Sequence, residues 1–269
     1  MNKVAARLLP IQTQYVRPLA DAAERRDWMP SPITQALRRL DGTCAIAPPS
    51  AADPPRVKVR HPVVARLYAG QVEKADRLGI AERRRALLAS LSGRVIEVGA
   101  GTGTNFSHYP ETVTEVIALE PEPFLHGRAE EAAHTARVPV RVIDATAEDL
   151  PFEDGSFDAG IASFVMCSVK SPTRALQELF RVIRPGGELR FNEHVRSGSD
   201  RVARIQRTAD RLGWPRVSGG CHLGRDTEAT ISAAGFEIES IDRYRFGIPP
   251  LDPPKPHIIG RARKADFAA

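Results

Sequence analysis

The chain predicts an α/β fold: a mostly parallel sheet with helices on its faces, completed by an antiparallel final strand. Three observations carry that reading. Short β-branched runs alternate with helical stretches, and such alternation requires crossover connections. The runs are too short for helices, as Val95 to Val98 illustrates. The last two runs are joined by a proline-rich return, GIPPLDPPK, which suits an antiparallel pair at a sheet edge.

The elements follow in order. Residues 1–60 read as an extension, partly disordered or loosely docked. The segment GTCAIAPPSAADPPR at 42–56 can continue neither a helix nor a ladder. Regular structure begins near His61. HPVVARLYAG and the following QVEKADRLGIAERRRALLASLSG read as two helices. In the second, Ile80, Leu87, Leu88 and Leu91 make an apolar side, and Glu82, Arg83, Arg84 and Arg85 are its charged surroundings. Gly93 releases the first strand, and residues 113–120, 139–145 and 157–165 supply three more. FLHGRAEEAAHTA is one of the intervening helical stretches. Ser171-Pro172 opens another, with proline in the first turn where no donor is needed. Leu176, Leu179, Phe180 and Ile183 continue it at helical spacing, until Pro185-Gly186-Gly187 turns the chain into a fifth strand, ELRFNEHV. Residues 198–225 hold no long hydrophobic run. A helix near 226–234 precedes the sixth and seventh strands, FEIESIDRYRF and PHIIGRARK.

Composition narrows the class. The 269 residues are 42% hydrophobic and 26% charged, ordinary for a soluble globular chain, and no segment is apolar enough to span a membrane. The first residues lack an apolar core and a small-residue cleavage site, so no signal peptide is expected. A net charge of +5 is spread along the chain and interleaved with acids, without a nucleic-acid-binding signature. Three scattered cysteines, Cys44, Cys167 and Cys221, suit neither a disulfide scaffold nor a zinc cluster, so no metal is expected and a reducing cytoplasm is the default. Cys221 and His222 make at most a pair.

The strongest local signal is Glu97-Val98-Gly99-Ala100-Gly101-Thr102-Gly103 at the first strand's exit. Glycines there permit a sharp turn and close backbone approach to a ligand. Threonine at 104 breaks a dinucleotide GxGxxG pattern, and no lysine follows to make a phosphate loop. Glu120 ends the next strand, where an acceptor-only carboxylate can take both hydroxyls of a ribose. A third element, AEDLPFEDGSFD, sits at the mouth of the sheet and can line an adenine pocket.

EVGAGTG, ALE, AEDLPFEDGSFD and ALQELFRVIRPGGELRF together resemble the class I S-adenosylmethionine-dependent methyltransferases. Within them, VMCSVKSPTRALQELFRVIRPGG, FNEHV, GGCHLGRDT and PHIIGRARK resemble the subgroup that includes mammalian thiol S-methyltransferases. The resemblance implies a Rossmann-like three-layer sandwich with a seven-stranded sheet, a catalytic domain over 61–265, and 198–225 as an acceptor-site cover. It implies S-adenosyl-L-methionine as cofactor. Gly99, Ala100, Gly101 and Gly103 would approach its methionine part with Glu97 below them, and Glu120 would hold the ribose. Thr146, Ala147 and Glu148 would lie at the adenine. Many relatives carry aspartate where this chain has Thr146, a departure that a backbone contact or Asp144 could meet. Ala162 and Ser163 would sit near the sulfonium, and Tyr68 would reach the methionine carboxylate. The mammalian subgroup carries a hydrophobic amino-terminal anchor, whereas the extension here is polar. The expected partner is a small-molecule acceptor, not nucleic acid or a membrane-spanning site; peripheral membrane contact stays open.

Methyl transfer from a sulfonium needs no protein nucleophile, and alignment supplies much of the rate. His194, at the carboxyl end of the fifth strand, and His222, beside Cys221, are the candidate bases. Holding a loop through two ring nitrogens is the alternative role for each. Cys167 is expected to shape the acceptor pocket. Three functions stay open: methylation of a small molecule such as an apolar thiol; O-, N- or C-methylation in quinone or secondary metabolism; or a non-catalytic cofactor-binding role toward a partner.

Overall fold

A computed structural model describes residues 62–249 and 252–266. The extension expected at 1–60, with Cys44, lies outside them.

Five strands run parallel: β1 (Gly93–Val98), β2 (Val113–Leu119), β3 (Val140–Ile143), β4 (Phe157–Ser163) and β5 (Ile183–His194). β6 (Glu237–Phe246) and β7 (Lys255–Arg263) form an antiparallel hairpin. β7 also pairs antiparallel with β5, so the sheet order is β3-β2-β1-β4-β5-β7-β6. The expected α/β architecture, seven strands with an antiparallel last strand, is the observed one.

Alternate residues of the central strands feed two apolar cores. Ile96, Val98, Ile117 and Leu119 point to the face covered by α4 (Pro172–Val182) and α7 (Thr227–Ala233), where Leu176, Leu179 and Ile231 are fully buried. Val95, Val116, Ala118 and Ile161 point to the opposite face, against Leu87, Leu88 and Ala129 of α2 (Ala81–Leu88) and α3 (Pro123–Ala133). Burial on both faces accounts for the unbroken apolar runs of the strands. The remaining helices are α1 (Pro62–Ala75), α5 (Asp200–Arg211) and the short α6 (Trp214–Val217).

Three local details depart from the sequence reading. The first helix runs through Gly70 and continues to Ala75; the break falls at Gly79, whose φ of 108° interrupts a π-helical turn at Asp76–Ile80. Pro185-Gly186-Gly187 is not a turn before β5 but lies within it, because β5 starts at Ile183. Gly187 allows that pairing, since a Cβ there would sit 2.7 Å from the Asp158 carbonyl. Arg84, read as a surface charge, is only 5% exposed. Its guanidinium donates to Asp76 Oδ1 at 3.0 Å and to Asn105 Oδ1 at 2.9 Å, pinning the α1–α2 corner to the loop after β1.

Candidate functional site

β1 lies between β2 and β4, and its neighbours' connections leave on opposite faces of the sheet. Such a reversal of strand order opens a crevice at the carboxyl ends, where ligands bind in open α/β sheets. The glycine loop forms one lip. Gly99, Gly101 and Gly103 have φ of 68°, 60° and 74°, the left-handed region that side chains resist. Space enforces glycine too. A Cβ on Gly99 would stand 2.4 Å from Val165 Cγ2, and one on Gly103 would stand 2.7 Å from Ala132 Cβ. Gly103→Ala is expected to cost roughly 2–4 kcal/mol in urea unfolding. Gly70→Ala is the control: nothing lies within 4 Å of that position, and its helix should gain up to about 1 kcal/mol.

Beneath the loop, Glu97 is 1% exposed and spends both oxygens on the scaffold. Asn105 Nδ2 donates to Oε1 and the Tyr109 hydroxyl to Oε2, each at 2.7 Å. Burial holds the carboxyl above its ordinary range, and the same desolvation, with Glu97 alongside, keeps the proton on Tyr109. Asn105 and Tyr109 were not singled out from sequence.

Glu120 follows β2 and is also buried. Its Oε2 accepts the Gly101 N–H at 2.8 Å and its Oε1 the Glu122 N–H at 3.0 Å. Each oxygen retains a lone pair. Desolvation outweighs these two bonds and raises the carboxyl to about 7. Tyr68 from α1 lies across the loop: a Cβ on Gly101 would be 3.3 Å from its ring. Desolvation raises its phenol to about 12, with Glu120 and Cys167 adding to the rise.

On the far side of β2, Thr146 is half-buried and Ala147 belongs to the apolar core. Glu148 Oε1 accepts the N–H groups of Lys170 and Ser171 at 2.8 and 3.2 Å, tying this loop to the start of α4. Asp144 Oδ1 is buried without a partner. At the exit of β4, Ala162 is buried in the core and Ser163 Oγ is buried and unpartnered. Phe164 follows with φ 58°, the one non-glycine residue at positive φ among those described, held by its N–H on the Asn192 carbonyl at 2.8 Å.

β5 ends in Asn192, Glu193 and His194, all buried. Glu193 Oε1 accepts the Val165 and Met166 N–H groups at 3.0 and 3.1 Å, which fixes the loop after β4, and burial raises this carboxyl well above its ordinary range. Asn192 Nδ2, Glu193 Oε2 and His194 Nε2 have no partner. Among the described residues, all the buried unpartnered side-chain atoms except Thr227 Oγ1 thus lie at the carboxyl ends of β3, β4 and β5. Such atoms are costly to leave unmatched, and their clustering marks where a polar ligand would match them. A surface recess of about 420 Å³ lies elsewhere, beyond the end of β5, lined by Arg196, Arg243, Tyr244 and His257 among others. It includes none of the glycine-loop residues.

The two candidate histidines have different surroundings. His222 Nδ1 donates to its neighbour Gly220 O at 2.8 Å, and its backbone N–H donates to Cys167 O at 2.8 Å. His194 Nδ1 instead stands 3.8 Å from Cys221 Sγ. Cys221 is brought to Cys167 and His194, not paired with His222. The Cys167 thiol is held above its ordinary range by its bond to Cys221 and by burial, and that bond draws Cys221 below. Arg225 donates to Met166 O at 2.5 Å, with its charge close to both cysteines.

This architecture, with a glycine turn after β1 and an acid after β2, is that of the class I S-adenosylmethionine-dependent methyltransferases, and the chain belongs to that family. The family model described as "Methyltransferase domain" matches residues 96–191. Thiol S-methyltransferase TMT1B of Homo sapiens is 37% identical over 186 residues, covering 66% of this chain and 74% of that protein. A demethylmenaquinone methyltransferase of Renibacterium salmoninarum is 37% identical over 117 residues, covering 42% of this chain and 48% of that protein. A SAM-dependent methyltransferase structure from Methanosarcina mazei superposes with a TM-score of 0.51 at 18% identity, covering 64% of this chain and 92% of that one. The chain is an S-adenosylmethionine-dependent methyltransferase acting on a small molecule. No described helix is long and apolar enough to cross a membrane.

Proposed function

We propose that the acceptor is a small apolar thiol, methylated at sulfur. The observation that carries this choice is the cationic flank of the sulfur-lined end of the site. Arg225 donates to the Met166 carbonyl, next in sequence to Cys167, which brings its guanidinium to that end. Positive charge there favours a thiolate, the reactive form of a thiol acceptor. The similarity to TMT1B, a thiol S-methyltransferase by name, supports the same reading.

The residues fit the cofactor. Glu120 keeps free lone pairs for ribose hydroxyls, and Asp144 Oδ1 is a buried acceptor lacking a donor, at the position where an adenine amino group would supply one. Gly99, Ala100, Gly101 and Gly103 would present backbone to the methionine part, Tyr68 would reach its carboxylate, and Thr146, Ala147 and Glu148 would border the adenine. Ala162 and Ser163 would lie near the reacting sulfur. Glu97 would act beneath the loop by holding Asn105 and Tyr109.

Bound S-adenosylmethionine supplies a methyl group on a positively charged sulfur. An acceptor thiol would give up its proton, its sulfur lone pair would take the methyl carbon, and the sulfonium sulfur would keep the old bonding pair, so charge would cancel. His194 and His222 are the groups proposed to take that proton. Residues 198–225 are proposed as the cover that excludes water: Gly219 packs against Val64 of α1 and Gly220 against Ser168, with room for no side chain at Gly219. We place the enzyme in the cytoplasm, where Cys167 and Cys221, both free thiols here, would stay reduced.

The test is transfer of isotope-labelled methyl to a panel of thiols, quinols, amines and phenols, with products identified by mass. A labelled thiol, absent with Glu120→Ala, is expected. Labelling of a quinol alone would replace the thiol reading with the quinone one, and cofactor binding without any transfer would favour the partner-binding role.

A further inference from the structure

We propose that Cys167, His194 and Cys221 form a binding site for a zinc-class divalent cation, and that its fourth position takes the acceptor as a thiolate. One ligand atom from each residue lies within 4.8 Å of the other two. Tetrahedral zinc with two sulfur ligands and one nitrogen sets its ligand atoms about 3.5 to 3.8 Å apart, so small rotamer changes suffice to close the set. Cys221 Sγ and His194 Nδ1 already stand at 3.8 Å.

Independent of that spacing, the imidazole is unspent. His194 is 4% exposed; its Nε2 has no partner, and its Nδ1 has only the long approach to Cys221 sulfur. A buried histidine normally satisfies both ring nitrogens, and this one has neither a carbonyl nor a carboxylate on either.

Three segments distant in sequence build the cluster: the loop after β4, the carboxyl end of β5, and the stretch after α6. Each is locked from outside the cluster. Glu193 holds the Val165 and Met166 amides, β7 pairs His194 with His257, and the His222 N–H holds the Cys167 carbonyl. Two soft thiolates and one imidazole select zinc over magnesium or calcium. Three protein ligands leave one position open, as in catalytic zinc sites. With the ion bound, His194 is a ligand and His222 remains to take the acceptor's proton, leaving a sulfur lone pair for the methyl carbon. The metal site itself stands on the cluster alone; the use of its fourth position rests on the thiol reading above.

The test uses the full chain, reduced and stripped of metal with a chelator, then titrated with cobalt(II). About one equivalent is expected to bind and to give sulfur-to-cobalt charge transfer in the near ultraviolet and visible bands of tetrahedral cobalt. Cys167→Ser, Cys221→Ser and His194→Gln should each weaken binding at least tenfold, whereas His222→Ala should retain it. S-adenosylhomocysteine binding reports that each variant is folded. No tetrahedral spectrum in the reduced wild-type chain would overturn the site, as would binding equal in all variants. Adding an alkanethiol should shift the visible bands. A bound cobalt that ignores thiols, while thiols are still methylated, would overturn the fourth-position role and leave the thiol reading intact. Cobalt bound with no thiol methylated by the zinc-loaded chain would overturn the thiol reading and leave the site standing.

Discussion

Glu120→Gln is expected to weaken S-adenosylhomocysteine binding roughly 10- to 100-fold, the loss of a charged acceptor shared by two hydroxyls. The pH dependence makes the claim specific. Burial raises the Glu120 carboxyl from 4.5 to about 7. Ribose hydroxyls donate to the ionised form, so affinity should rise with pH through about 7, by about tenfold between pH 6 and pH 8. Stability without ligand runs the opposite way. A carboxyl raised on folding contributes stability that is fully present below 4.5 and lost as pH rises through about 7. Calorimetric titration of wild type and variant across that window is the check. A pH-independent affinity in the wild type, or an equal slope in Glu120→Gln, would remove Glu120 from the ribose.

Glu97→Ala should be the most destabilising single change at the site, by roughly 3–5 kcal/mol. Its carboxyl receives Asn105 and Tyr109, and Asn105 in turn receives Arg84, which holds Asp76. Truncation leaves two buried donors without an acceptor and a void beneath the glycine loop. Glu97→Gln keeps the volume but turns an amide NH₂ toward one of those donors, so a smaller loss of about 1–3 kcal/mol is expected. Urea unfolding gives both values. Losses below about 1 kcal/mol for the alanine variant would mean that the buried chain of bonds does not support the loop.

The strands, the glycine turn and the strand-end acid were legible because each is written in adjacent residues: Val95 to Val98, then Gly99 to Gly103, and Glu120 after VIAL. What escaped depends on contacts between distant segments. Arg84 was readable in principle. It stands four residues after Ile80 and four before Leu88, on the buried stripe, but its charge assigned it to the surface. Asn105 and Tyr109 carry no local signal, since their importance comes from the Glu97 oxygens beneath them. The partners of Cys221 were misjudged for the same reason. Its neighbour His222 bonds within its own loop, while Cys167 and His194 reach it only through the sheet's topology.

The position of β7 has a consequence for how the molecule is made. β6 joins the sheet only through β7, and β7 covers the edge of β5 from Glu188 to His194. During synthesis, the first five strands can assemble while that edge still presents unpaired amides and carbonyls. Asn192, Glu193 and His194 then sit on a bare margin. They become interior only when residues 255–263 have left the ribosome and slipped between two strands already made. The carboxyl end of β5 is therefore the last part to mature, and a nascent chain stalled before that point would carry a formed glycine loop beside an open, aggregation-prone flank.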